Sequence, residues 1–145
     1  MATETTLPPA RKHASPPRWL SAVGLLAGLF GLATVLSGGR VLFGPAEVRA
    51  AAGRVVPFVL WFNFIAGFAY LGAAAGLVRA RRWAAPLSLA IAAATALVFL
   101  ALGLHVARGG AVEPRTVAAM VLRTGVWTAI AAVTCRRIGC FARRR

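Results

Sequence analysis

A few polar side chains interrupt otherwise apolar stretches of this chain, and they are the candidates for chemistry. If such a stretch crosses a membrane, an arginine within it costs about 2.5–3.5 kcal/mol on insertion scales and normally has a partner. We therefore expect Arg123 to pair with Glu113, directly or through water, with Asn63 and Tyr70 as further hydrogen-bond partners. The complete candidate cluster consists of Asn63, Tyr70, His105, Glu113, Arg115, Thr116, Met120 and Arg123.

Helical spacing supports this grouping, because residues three and four apart share one face of a helix. If two such faces meet, Asn63 and Tyr70 lie opposite Arg123. Two interpretations follow: the paired arginine locks the register of the helices, or the cluster is a small polar site open to one side of a membrane. Contact of Arg123 with lipid headgroups, through an outward-reaching side chain, is a third alternative.

No metal or cofactor is predicted from these residues. His105, Glu113 and Met120 could together bind a transition metal, but such a mixed set is not diagnostic. A haem would need axial ligands that face each other across a bundle, for which only His105 and Met120 are available. A quinone or lipid tail near His105, Trp127 and Arg123 is a further alternative.

Catalysis is not predicted either. The chain has no Ser/His/Asp set, no paired carboxylates, no glycine-rich phosphate loop beside a lysine and no HExxH motif. Its three acids are Glu4, Glu47 and Glu113, and only Glu113 falls near other polar groups. We therefore expect a protein that is not an enzyme.

Four apolar stretches, each near twenty residues long, must position these side chains. About 20 apolar residues in a helix cross the hydrocarbon core of a bilayer. The pattern predicts an all-α fold, a bundle of four transmembrane helices with short loops, with spans over 19–38, 57–78, 84–106 and 116–135. The longest loop is expected to hold a short helix over 46–54. We expect residues 1–17 to form a disordered cytoplasmic tail, 18–140 the transmembrane domain and 141–145 a basic cytoplasmic tail.

The chain carries 17 Lys and Arg residues against three acids, a net charge of +14. In a soluble protein this would suggest nucleic-acid binding, but here the basic residues flank the apolar stretches, as the positive-inside rule describes. Eleven of them fall on one side of the predicted bundle and five on the other, so both termini are expected in the cytoplasm, with the protein in a bacterial inner membrane. Five arginines are expected to contact anionic lipid headgroups: Arg136, Arg137, Arg143, Arg144 and Arg145.

Cleavage of the first stretch as a signal peptide is the alternative topology. It would leave three spans and an N-terminus outside the cytoplasm. The apolar run is longer than the usual 7–15 residues of such a peptide, so we expect the first stretch to stay in the protein as a span.

Regularly spaced glycines mark the helix faces that are expected to pack closely. Small residues let helix backbones approach where no hydrophobic effect drives helices together. We expect packing within one bundle, with a homo-oligomer seam as the alternative. The residues concerned are Gly24, Gly28, Gly31, Gly72 and Gly76.

The two cysteines, Cys135 and Cys140, fall at the predicted cytoplasmic end of the fourth stretch. A reducing compartment argues against a disulfide, and their spacing is not that of a zinc site. We expect both to be free thiols that serve as small apolar side chains.

A segment over 61–71, WFNFIAGFAYL, is followed by a spaced pattern in the third and fourth stretches: His105-x3-Gly109-Gly110-x2-Glu113-x-Arg115-Thr116-x3-Met120-x2-Arg123. Together they resemble a group of small bacterial four-helix membrane proteins. The resemblance covers the second to fourth spans and not the tails. It implies the four-span architecture, points to the same polar residues and implies no activity.

From these observations we expect a non-catalytic accessory subunit or interaction partner of a bacterial membrane complex. Its partners would be membrane lipids and either another membrane protein or further copies of itself, but not nucleic acid. The alternative function is the binding or transport of a solute, ion or metal at Asn63, His105, Glu113 and Arg123. A membrane enzyme acting on lipid or quinone is the third possibility.

Overall fold

The protein is all-α in the computed structural model, which describes residues 18–138 and residue 140. The described chain forms five helices: α1 (Arg18–Phe43), α2 (Ala46–Ala52), α3 (Pro57–Val78), α4 (Ala84–Ala107) and α5 (Pro114–Ile138). All except α2 are long and apolar enough to span a membrane. This confirms the predicted fold class. The predicted tails, 1–17 and 141–145, lie outside the described residues.

The connections between helices explain where each helix begins and ends. Pro57 occupies the first turn of α3, where its missing N–H has no partner to lose. Gly53, with φ 72°, follows the last residue of α2, Ala52, so the helix ends two residues before the predicted boundary at residue 54. Gly109, with φ 83°, adopts the left-handed conformation in the loop that leads from α4 to α5. The loops are therefore short, and they hold neighbouring helices close together.

The interface between α1 and α3 is tight because glycines bring the two backbones into contact. A Cβ at Gly24 would lie 2.9 Å from the backbone nitrogen of Val78. A Cβ at Gly31 would lie 3.2 Å from the carbonyl oxygen of Gly67, which was not among the predicted packing residues. Gly28 lies on the same side of α1, where a Cβ would be 3.5 Å from the Cβ of Ala74.

The second predicted pair of glycines does not act as a pair. A Cβ at Gly76 would lie 2.9 Å from the Cβ of Ala84, so this glycine admits the start of α4. A Cβ at Gly72 would meet no described atom within 4 Å. Gly72 therefore does not serve close helix packing among the described residues.

The four long helices pack in the order α1, α3, α4, α5. Close backbone packing joins α1 to α3, α3 to α4 and α4 to α5 in the described chain, whereas the backbones of α1 and α5 approach less closely. Tyr70 of α3 and Trp127 of α5 are fully buried, and their ring centroids lie 4.6 Å apart across the centre. Side chains bridge α1 and α5, as in the contacts of Arg123 with Phe30 and of Arg137 with Trp19.

The two ends of the bundle differ. One end carries α2 and is called the α2 end; at the other, the terminal end, α1 begins and α5 finishes. There a disulfide joins Cys135 to Cys140, so the expectation of two free thiols was wrong. The two Cα atoms lie 4.6 Å apart, within the usual disulfide range.

The arginines predicted to contact headgroups lie partly within the described chain. Arg136 and Arg137 are exposed at the terminal end of α5. The guanidinium carbon of Arg137 lies 6.0 Å from the ring centre of Trp19. Arg143, Arg144 and Arg145 lie outside the described residues.

Candidate functional site

A cavity of about 420 Å³ lies at the α2 end, between α1, α3 and α5 and beside α2. Most of its wall is apolar. Two arginines and no acid line it, so its positive charge has no counter-ion among the lining residues. Its polar lining residues are Thr34, Ser37, Asn63, Arg115, Thr116 and Arg123.

Arg123 reaches this cavity from within the bundle. Because α5 begins at Pro114, a rise of 1.5 Å per residue places Arg123 roughly 13 Å along the helix. Its guanidinium carbon lies 5.8 Å from the ring centre of Phe30, which is a cation–π contact between α5 and α1. Its Nε is buried and has no hydrogen-bond partner among the described residues.

The predicted ion pair between Arg123 and Glu113 was wrong. Glu113 precedes α5, so it lies roughly 15 Å from Arg123 along the helix axis. An ion pair needs nitrogen and oxygen within about 4 Å. The carboxylate of Glu113 instead accepts a hydrogen bond from the loop after α2.

Glu113 and Arg115 together fasten that loop to the start of α5. Glu113 Oε1 accepts a hydrogen bond from the backbone N–H of Arg54 at 3.1 Å. Arg115 Nη2 donates to the carbonyl oxygen of Ala51 at 2.7 Å and also to that of Ala52. This clamp, defined by Glu113 and Arg115, holds α2 beside the cavity.

Asn63 faces the cavity from α3. Its side chain is 9% exposed, and its Oδ1 has no hydrogen-bond partner within the described chain. A buried amide without a partner loses the hydrogen bonds that water would supply, which costs free energy. Asn63 and Arg123 therefore present an unused acceptor and an unused donor to one cavity.

Tyr70 continues the polar groups towards the centre of the bundle. Its ring lies between Phe30, with centroids 5.9 Å apart, and Trp127. Thr95 of α4 neighbours the Tyr70 side chain, yet neither hydroxyl makes a hydrogen bond of good geometry with a described residue. The indole Nε1 of Trp127 is likewise buried without a partner. Of these aromatic rings, that of Phe30 lies against the guanidinium of Arg123.

His105 and Met120 do not belong to the site. The imidazole of His105 meets the ring of Phe58 edge-on, with centroids 6.3 Å apart. Met120 is fully buried in an apolar cluster with Leu102 of α4. Their predicted place in the polar cluster was wrong, because α5 presents Met120 to α4 and Arg123 to α1. Among the described residues, no three of His, Cys, Asp and Glu could hold a metal ion.

Three residues of α1 contribute to the site and were missing from the predicted cluster: Phe30, Thr34 and Ser37. Their spacing of four and three residues places them on one face of a helix, which was the available signal. Thr34 Oγ1 donates to the carbonyl oxygen of Phe30 at 2.8 Å, and Ser37 Oγ donates to that of Thr34 at 3.2 Å. Both hydroxyl protons are thus used locally, and the oxygens can act only as acceptors towards a ligand.

The arrangement can bind an anion through the guanidinium of Arg123 in a largely apolar cavity. The oxygens of Asn63, Thr34 and Ser37 can accept hydrogen bonds only from donor groups on the same ligand. No family model, curated protein or solved structure matches the chain. The inference of function therefore starts from the geometry of the cavity.

Proposed function

We propose that this protein binds an anionic ligand in its intramembrane cavity and performs no chemistry on it. The observation that carries the proposal is Arg123, whose Nε is buried without a partner at the cavity. A second arginine, Arg115, lines the same cavity, and no acid does. This is the solute-binding alternative, centred on Arg123 and Asn63 in place of His105 and Glu113.

Elementary electrostatics supports an anion as the occupant. A buried charge that lacks a counter-ion is costly, and an arriving anion removes much of that cost. The attraction between unlike charges grows as the surroundings become less polar than water. A guanidinium also matches carboxylate or phosphate oxygens with paired hydrogen bonds.

The energies favour this interpretation over a structural lock. Within the chain, Arg123 has the ring of Phe30 as its partner, a contact of about 0.5–2 kcal/mol. Placing an arginine inside a membrane costs about 2.5–3.5 kcal/mol. The contact alone does not offset the cost of burial, whereas a bound anion would.

Native mass spectrometry of the protein, extracted gently from its own membrane, tests the proposal. We expect the wild-type chain to carry an anionic adduct in a fixed ratio, and Arg123→Gln to reduce its occupancy at least about tenfold. Arg49→Gln is the matched control, because Arg49 is an exposed arginine of α2. It should keep the adduct.

Two results would overturn the proposal. One is a wild-type protein without any anionic adduct. The other is an adduct of equal occupancy in the wild type and in Arg123→Gln, which would place the anion elsewhere on the protein.

We place the cavity in the leaflet away from the cytoplasm, with both termini cytoplasmic, in a bacterial inner membrane. The support is the distribution of basic residues between the two sides of the predicted bundle, whereas the disulfide at the terminal end favours the opposite orientation. Reporter fusions at the C-terminus test this orientation. Activity of a periplasmic reporter there would reverse it.

An accessory subunit of a membrane complex is the second candidate. It is favoured by three glycines within the long helices at which a Cβ would meet no described atom within 4 Å: Gly72, Gly103 and Gly125. Because these positions lack a side chain, the backbone of a partner helix can approach them closely. Leucine at these positions should then remove polypeptides that co-purify in a fixed ratio, and leave the adduct at Arg123 in place.

A further inference from the structure

We infer that the ligand is a lipid whose phosphate headgroup also carries a hydroxyl group. Its headgroup occupies the cavity, and its acyl chains lie outside the cavity against the apolar surface of the bundle. This inference rests on the proposed anion binding and names the chemical class of the anion.

The unused hydrogen-bonding atoms define the headgroup. Arg123 Nε carries a proton and needs an acceptor, whereas Asn63 Oδ1 needs a donor. A phosphate diester offers only hydrogen-bond acceptors. It can therefore accept a hydrogen bond from Arg123 Nε, but it leaves Asn63 Oδ1 without a donor. A hydroxyl group beside the phosphate satisfies both atoms.

The hydroxyls of α1 lead to the same requirement. Thr34 and Ser37 line the cavity, but their protons are already donated to backbone carbonyl oxygens. They therefore offer only oxygen lone pairs to a ligand. Together with Asn63 Oδ1, they make three hydrogen-bond acceptors at the cavity. An anion that carries no hydrogen-bond donor cannot pair with any of them.

The shape of the site favours a lipid over a free solute. The cavity of about 420 Å³ is near the lower end of the range of about 300–1,000 Å³ for ligand pockets, so it holds a headgroup and not a whole lipid. The cavity is partly open and not enclosed, so a headgroup can enter it while the acyl chains stay outside. Its apolar wall consists of valines, alanines, a glycine and a leucine, which suit glycerol and the first methylene groups.

Three lipids with identical acyl chains separate the headgroup contributions. Phosphatidylglycerol has a phosphate and hydroxyl donors, phosphatidylmethanol has the same charge without a donor, and phosphatidylcholine is zwitterionic. We expect native mass spectrometry in a neutral detergent to show phosphatidylglycerol bound at least about fivefold more tightly than phosphatidylmethanol. Phosphatidylcholine should bind most weakly of the three. Free glycerol 3-phosphate, which lacks acyl chains, should bind at least about tenfold more weakly than phosphatidylglycerol.

Two variants assign the preference to residues. Asn63→Leu should abolish the preference for phosphatidylglycerol and leave phosphatidylmethanol binding within about twofold of the wild type. Arg123→Gln should weaken both anionic lipids at least about tenfold, and Arg49→Gln should change neither. Circular dichroism verifies that each variant keeps its helices.

The outcomes distinguish this inference from the proposed function, and the lipid comparison on the wild type does not depend on any variant folding. Equal binding of phosphatidylglycerol and phosphatidylmethanol would overturn the hydroxyl requirement and leave anion binding intact. Equal binding of free glycerol 3-phosphate would overturn the lipid assignment. Failure of every anion to bind would overturn both the inference and the proposed function.

Discussion

Helix α1 has two neighbours and meets them in opposite ways. On the α3 side, Gly24 and Gly31 bring backbone against backbone, with contacts near 3 Å for any added Cβ. On the α5 side, Thr34 and Ser37 line a cavity, and the two backbones approach less closely. One helix thus contributes both to the tightest interface of the bundle and to the wall of its cavity.

The contrast shows how a membrane bundle separates stability from binding. In lipid, close van der Waals contact takes the place of the hydrophobic effect between helices, so the glycine interface holds the fold. Polar side chains that are not needed for that contact can remain without partners, because the packed interface compensates for their cost. The following changes test this division of roles, from the largest expected effect to the smallest.

Filling the α1–α3 interface should be the most damaging change. In Gly24→Leu the new Cβ would lie 2.9 Å from the backbone nitrogen of Val78, which cannot move aside without displacing α3. We expect the free energy of unfolding, measured by SDS titration, to fall by about 1–3 kcal/mol. Gly125→Leu, an exposed site on α5, is the control and should change it by less than about 0.5 kcal/mol. Equal stability of the two variants would contradict the role of the interface.

Removing the charge of Arg123 should have the opposite effect and raise the free energy of unfolding. Arg123→Met loses the contact with Phe30, about 1 kcal/mol, and removes a burial cost of about 2.5–3.5 kcal/mol. In the SDS-unfolded state the arginine can reach water, so the cost applies mainly to the folded protein. We expect the ligand-free variant to be more stable by about 1.5–2.5 kcal/mol. A loss of stability would show that Arg123 is a structural lock.

Releasing the clamp should affect only the segment next to the cavity. Glu113→Ala removes the acceptor of the Arg54 N–H, so hydrogen exchange at that amide should become about three- to tenfold faster. Exchange in the centre of α3 should stay unchanged. Glu47→Ala, at an exposed acid of α2, is the control. If it accelerated hydrogen exchange at the Arg54 amide as much as Glu113→Ala does, the clamp would contribute nothing specific.

The smallest effect is expected at the Tyr70 hydroxyl. Because this hydroxyl makes no hydrogen bond of good geometry, Tyr70→Phe should change the free energy of unfolding by less than about 0.5 kcal/mol. Tyr70→Leu also removes the ring contacts with Phe30 and Trp127, and should cost about 1–3 kcal/mol. A large effect of Tyr70→Phe would reveal a structural hydrogen bond at this position.

The fold was largely predictable from the sequence because helix length and polarity are local properties. The third helix runs over Pro57–Val78, as predicted, since a proline marks its start and a basic turn follows its end. The first helix extends beyond the predicted end at residue 38 to Phe43. Two adjacent glycines, Gly38 and Gly39, lie there next to Phe64, and the helix continues through them.

The site was predictable only in part, because its partners come from distant helices. Helical spacing indicated that Asn63 and Arg123 face each other, and both line one cavity. Charge alone selected Glu113 as the partner of Arg123. The actual neighbour is Phe30, an apolar residue of α1 that no charge pattern could indicate.

The bond between Cys135 and Cys140 makes the terminal end of the bundle a built-in reporter of sidedness. Thiols stay reduced in the cytosol, whereas disulfides persist on the oxidising side of a membrane. The fraction of cysteines that a maleimide labels in intact cells, before and after reduction, therefore records which compartment this end faces. This labelling therefore tests the orientation inferred from the arginine distribution without a reporter fusion.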